Sequence, residues 1–239
     1  MQDDGRPWPQ AGRKRVIALP SVARLGTGMP EPVPPGPDGV MMMGDNPALP
    51  RMPEKPQLLD FYRLRLLEGT VQHLFNSAKL ALEAGQAEPI ILACLLHDIS
   101  LGALVRTDHG YWSAQLIAPY VSEEVAFAVR YHQALRYFPD ESVGYAYPET
   151  YTRFFGEDYV PPDYIRREAE IARAHKWYMS ARFITLHDVY AFDNKEPIDP
   201  ALFADIIGRH FRTPPEGLGF DNSPTAHMWR TLIWPNNFL

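Results

Sequence analysis

From Gln57 onward the chain reads as a succession of helical patterns. Leu58, Leu59, Tyr62, Leu66 and Leu67 make one apolar face, interrupted by Arg63 and Arg65. Gly69 is expected to close that segment and Thr70 to cap the next. Val71, Leu74, Phe75, Ala78 and Leu82 then recur at helical spacing up to Gly85, with His73 inside the helix they predict. After the short connection Gln86-Ala87-Glu88, Pro89 suits the first turn of a third helix. That helix is apolar from Ile90 to Leu96 and ends abruptly in His97-Asp98-Ile99. So short a join predicts two antiparallel helices.

The pattern continues after a turn over Ser100–Asp108 that contains Gly102. Asp108 is placed to cap a helix beginning at His109, and Ser122-Glu123-Glu124 reads as another helix start with early acids that suit the dipole. This second one runs through Val125, Val129 and His132 to about Tyr137. Residues 138–163 are rich in Pro, Gly and Tyr, and so long an insertion suits a lid or a site wall. A single long helix is predicted from Tyr164 to about Tyr190, carrying His175, Lys176, Arg182, His187 and Asp188. Asp199-Pro200 starts a further helix to about Phe211. The tail from Thr213, with Trp229, Trp234 and Phe238, reads as irregular, its aromatics suited to packing. No repeat, strand-like alternation or hairpin signal occurs, so the predicted class is all-α.

Residues 1–56 differ. They hold 12 of the 24 prolines, including Pro30-Glu31-Pro32-Val33-Pro34-Pro35-Gly36-Pro37. That density excludes regular helix and central strand. The expected organisation is a proline-rich N-terminal arm over 1–56 and a helical metal-binding domain over 57–239. The arm is either extended and flexible, or packed over the body or a neighbouring subunit through Trp8 and Met41-Met42-Met43.

Composition narrows the function classes. A net charge of −6 argues against a general nucleic-acid binder, whose footprint is basic. The single cysteine, Cys94, allows no internal disulfide and fits a reducing compartment. No apolar run approaches the ~20 residues of a membrane span. The apolar stretch after Arg13-Lys14-Arg15 runs only from Val16 to Leu19 before Pro20, short of the ~7–15 residues of a signal peptide. A cytoplasmic location is therefore expected, with no membrane and no nucleic acid among the partners.

The candidate chemistry starts at His97-Asp98. Burying an imidazole beside a carboxylate is costly without compensation, and a cation compensates both. The further candidates are His73, His109, His132 and Asp188, at separations of 24, 12, 23 and 56 residues along the series His73, His97, His109, His132, Asp188. Neutral imidazoles suit Fe, Zn, Cu or Ni, and carboxylates can bridge two ions. Four histidines and two aspartates exceed the needs of one tetrahedral zinc with an open position. They suit two metals about 3.5–4 Å apart, with Asp98 between them.

The order His…His-Asp…His…His…Asp resembles the HD-domain superfamily over about residues 57–192. Within it, the chain is similar to the six-ligand, di-metal branch, which includes myo-inositol oxygenase and the phosphonate-cleaving oxygenases of the PhnZ and TmpB kind. The resemblance implies an HD-type helical bundle and two irons, mixed-valent Fe(II)/Fe(III), with other divalent metals as alternatives. It implies that His73, His97, Asp98 and Asp188 are ligands, that Asp98 bridges, and that His109 and His132 complete the second ion's set. His97 and Asp98 would stand at the centre of catalysis. Arg136, one helical turn after His132, occupies the place of a basic residue that holds an anionic substrate group. Tyr62 is a candidate for a tyrosine near the metals. Lys176 and Arg182 face either an anionic substrate or solvent, and His187 is read as a partner of a ligand. Cys94 is read as a small buried hydrophobe.

The chain departs from the pattern of many HD hydrolases, which continue as His-Asp-Ile-Gly-(Lys/His). Here the run is His97-Asp98-Ile99-Ser100-Leu101, and leucine cannot move a proton. The expected function is oxidation or C–C or C–P cleavage, by O2, of a small polar substrate that is hydroxylated or anionic. A metal-dependent phosphohydrolase acting on a nucleotide or phosphoester is the alternative. A non-catalytic ligand-binding module is a third reading, and a homo-oligomer is compatible with each.

Overall fold

Ten α-helices run through the residues that the computed structural model describes, which are 50–101, 108–189, 191 and 197–233. They are α1 (Leu58–Leu64), α2 (Glu68–Glu83), α3 (Glu88–Leu96), α4 (His109–Ile117), α5 (Glu123–Leu135), α6 (Glu149–Phe155), α7 (Asp163–Arg173), α8 (Tyr178–Val189), α9 (Ala204–His210) and α10 (Ala226–Ile233). Among these residues no strand forms. One isolated bridge pairs Asp140 with Tyr145. No described helix is long and apolar enough to cross a membrane.

The core is laid around α3. Every residue from Ile90 to Leu96 is buried, as a helix apolar on all sides must be. Glu88 in its first turn and Pro89 behind it fit the exposed dipole end. α2, α5, α8 and α9 pack around it. α5 also contacts α4, α7 and α8, and its start is fixed by Ser122, whose hydroxyl accepts a hydrogen bond from Val125 N at 3.3 Å.

Four local expectations are corrected. α2 begins at Glu68 with Leu67 at the cap position, so Gly69 and Thr70 lie inside its first turn. The acid at the dipole end and the Val71 N to Leu67 O bond (3.0 Å) start the helix three residues early. The long helix predicted from Tyr164 is two helices, α7 and α8, broken over 174–177. There the His175 ring stacks on Phe127 (4.0 Å between centroids) and its Nδ1 accepts from Trp177 N. That tertiary anchor outweighs the helical propensity of the segment. The 138–163 insertion contains α6, and the tail contains α10. α10 forms because Trp229 is fully buried against Phe61 and Tyr120 (4.7 and 6.0 Å), with its Nε1 donating to Leu116 O at 3.2 Å.

Of the predicted arm, residues 50–56 are described. Pro56 is buried, and its carbonyl accepts from Leu218 N at 2.8 Å. Gly217 makes this approach feasible, because a Cβ there would stand 2.6 Å from Pro56 Cδ and its φ is +95°. Residues 1–49, including Trp8, the Pro30–Pro37 run and Met41–Met43, lie outside the described residues, as do Gly102, Tyr190, Trp234 and Phe238.

Replacing Trp229 by Ala removes the anchor of α10. Urea unfolding should show a loss of about 3–5 kcal/mol.

Candidate metal centre

Five separate elements bring His73, His97, Asp98, His109, His132 and Asp188 together. His73 projects from α2, His132 from α5 and Asp188 from α8, while His109 is the first residue of α4. The His97-Asp98 pair sits just past the last turn of α3, with His97 still helical in its dihedrals (φ −60°, ψ −37°). All six side chains are buried.

Asp98 organises the cluster. Its Oδ2 lies 3.6 Å from His73 Nε2 and 3.7 Å from His97 Nε2. Its Oδ1 lies 3.0 Å from His109 Nε2 and 3.6 Å from His132 Nε2. One carboxylate therefore turns a different oxygen toward each of two imidazole pairs. Asp188 Oδ1 closes the first group, 2.9 Å from His73 Nε2 and 3.6 Å from His97 Nε2. The ligand atoms of His73, His97 and Asp188, and those of His97, Asp98 and His132, each lie within 4.8 Å of one another. Donors held about 2.1 Å from a shared ion stand roughly 3.0–3.4 Å apart in octahedral or tetrahedral geometry, so the observed spacing fits.

The protonation pattern fits as well. His97 Nδ1 donates to Cys94 O (2.7 Å) and His132 Nδ1 to Val129 O (2.6 Å). In the neutral rings those bonds leave Nε2 as a bare lone pair aimed inward, the tautomer a metal ligand needs. Asp98 Oδ1 is buried and accepts no aligned hydrogen bond, despite the two imidazoles beside it. The electrostatics express the same demand for positive charge. Burial opposes charge on His97, yet Asp98 and Asp188 outweigh it and raise its pKa to about 9. Burial, then the charge on His97, pushes His132 down to about 4. Burial also opposes ionisation of Asp98 and Asp188, but the surrounding imidazoles hold both below the ordinary carboxylate range. These buried groups could hold a metal ion.

Other polar residues, which the sequence pattern did not single out, hold the ligands in position. Asn76 Nδ2 donates to Ala191 O at 2.7 Å and ties α2 to the end of α8. The Thr185 hydroxyl lies 3.2 Å from both the His132 and Ala181 carbonyls. Ser100 Oγ donates to His109 O (2.9 Å), and Ser113 Oγ lies 2.9 Å from Ser100 Oγ, joining the turn after Asp98 to α4. Gly110 lets α4 approach α5, because a Cβ there would meet Arg130 O at 3.0 Å, Val129 O at 3.1 Å and His132 Cε1 at 3.3 Å. Their only signal in sequence is a small or polar residue on an otherwise apolar face.

The four proposed substrate contacts separate. Arg136 caps α5 on the stripe that carries His132, with Nη2 donating to Tyr137 Oη at 2.8 Å. Tyr62 is buried, with its hydroxyl donating to Leu95 O (2.5 Å) and its ring packed on Phe75. Lys176 is exposed in the break between α7 and α8, with its ammonium 4.3 Å above the Trp177 ring. Arg182 is fully buried, not solvated. It donates to Leu135 O and Tyr178 Oη (3.1 Å each) and pairs with Asp140 at 3.5 Å. These bonds clamp the end of α5. His187 forms no bond to a ligand. Its ring lies near Phe183, its Nε2 has no partner, and burial pushes its pKa down to about 4. His210 pairs with Glu88 and His227 is exposed.

No protein-family model matches the chain, and no curated protein sequence does. Fold and site together define an all-α protein with buried imidazole and carboxylate groups able to hold metal.

Asp98→Asn keeps the shape of the side chain and removes the charge that faces both imidazole pairs. Metal affinity, measured by competition with a chelator, should fall about tenfold or more. Gly110→Ala forces α4 and α5 apart at His132. It should destabilise the fold by roughly 1–3 kcal/mol and lower the metal content measured by elemental analysis.

Proposed function

We propose that the protein is a di-iron oxygenase of the HD-domain type, acting with O2 on a small polar substrate that is hydroxylated or anionic. The observation that carries this reading is Asp98, whose two oxygens address two different imidazole pairs. A lone cation needs no such division of one carboxylate. His73, His97 and Asp188 would hold one iron, His109 and His132 the other, with Asp98 shared. A mixed-valent iron pair supplies the redox chemistry and the affinity for O2.

The chain's own groups do the rest. The Nδ1 bonds to Cys94 O and Val129 O hold two rings with Nε2 inward. Arg136, the one guanidinium on the His132 stripe of α5, orients an anionic group. The aromatic side chains over it keep water out, which strengthens every charge interaction inside. A metal-dependent phosphohydrolase is the competing reading, since the same donor set can activate water. Leu101, three residues past Asp98, offers it no proton donor or acceptor.

Protein expressed with iron should carry two irons per chain, give a mixed-valent EPR signal, and consume O2 when its substrate is supplied. A chain loaded with a single zinc or manganese and inert to O2 overturns the reading. Phosphate release from nucleotides under anaerobic conditions favours the hydrolase instead.

A further inference from the structure

The peptide group that joins His109 to Gly110 is held at both ends. Its carbonyl accepts from Ser100 Oγ at 2.9 Å, and its N–H donates to Gln133 Oε1 at 3.1 Å. Ser100 lies two residues past Asp98, and Gln133 directly follows His132. The two partners therefore come from the stretches that carry two other members of the cluster.

Each half of this clamp needs a long-range partner. Gly110 stands in the first turn of α4, where N–H groups have no acceptor inside the helix. Asp108 occupies the cap position, but its side chain makes no capping bond. The acceptor comes instead from Gln133 on α5, the helix packed against α4. Ser100 stands where the pattern of many HD hydrolases has glycine, which has no hydroxyl to offer. That hydroxyl is itself oriented, because Ser113 Oγ donates to it at 2.9 Å and accepts from Ser100 N at 3.1 Å. Gly110, Ser113 and Gln133 are all buried, so bulk water offers no substitute partners.

The clamp leaves His109 little freedom. With its carbonyl and the next N–H both fixed, the direction in which its side chain departs is set from two sides, by the Asp98 stretch and by the His132 stretch. His109 Nε2 accordingly lies 3.0 Å from Asp98 Oδ1, the same oxygen that His132 Nε2 faces at 3.6 Å. The two rings are 5.3 Å apart between centroids. His73 and Asp188 stand on other elements, α2 and α8. Bonds that orient a ligand from behind set how well it holds a metal, so this one should act on the His109 side of the cluster alone.

We propose that Ser100 and Gln133 are positioning residues that clamp the His109–Gly110 peptide and thereby set the affinity of one ion position, the one shared by His109 and His132. The proposal rests on the two-ion reading of the site.

The test removes each half of the clamp. Gln133→Leu takes away the acceptor at similar volume, and Ser100→Ala takes away the donor. Iron(II) is titrated anaerobically into the metal-free, full-length protein and followed by calorimetry. Wild type should show two binding steps. In either variant one step should weaken by about tenfold or more, while the other changes less than about twofold. The double variant should lose much less than the product of the two single losses, because both bonds hold one peptide. After partial oxidation, the mixed-valent EPR signal of the wild type should give way to that of isolated ferric iron in the variants. Equal weakening of both steps, which a general loosening of the bundle produces, overturns the proposal. Two unaffected steps, or a double loss equal to the product, overturn it too. If the wild-type protein takes up one ion or none, the two-ion reading falls by itself. The clamp is then decided in the metal-free protein by NMR: both single variants should shift the ring 15N signals of His109 and leave those of His73 in place. Unmoved His109 signals overturn it.

Discussion

Two carboxylates buried among four imidazoles need positive charge between them. Asp98 and Asp188 each retain little contact with water, and ionised acids in such surroundings are stable only when paired. In the metal-free chain a proton on His97 meets part of that need, which is why its pKa rises while that of His132 falls. Only one of two rings 4.9 Å apart can carry the charge. A metal ion meets the need more fully, because it accepts lone pairs from several donors at once.

The rest of the architecture serves that convergence. α3 is apolar on every side, so the bundle closes around it and leaves the His97-Asp98 pair at its end, inside the core. α5 is held from two directions, by Arg182 on the Leu135 carbonyl and by Thr185 near the His132 carbonyl. Gly110 sets how closely α4 can bring His109 to it. Each ligand thus stands on an element whose position is fixed by packing or by a hydrogen bond away from the centre. That is the condition for a site to keep its geometry.

Around Arg136 the insertion does different work. Tyr137 and Tyr151 turn their rings toward Arg136, and burial opposes its charge while these tyrosines and Asp188 favour it. Arg182 looks equivalent in sequence, yet Asp140 neutralises it and the two arginines have separate roles. Tyr62 is tied to Leu95 O of α3, and Lys176 lies exposed over the Trp177 ring.

Helical periodicity, the absence of strand patterns and the six candidate ligands were all legible in the order of residues. Periodicity reports which face of a segment is apolar, and His73, His97, His109, His132 and Asp188 stand out as polar groups on such faces. The break at 174–177 was not legible, because it depends on His175 stacking on Phe127, a partner 48 positions earlier in the chain. α10 was missed because Trp229 finds Phe61 and Leu116 only after folding. The division of Asp98 between two imidazole pairs, and the separate fates of Arg136 and Arg182, were likewise decided by tertiary structure. Local sequence dictates which groups must be buried; which oxygen faces which nitrogen depends on how distant helices pack, and no local pattern encodes that.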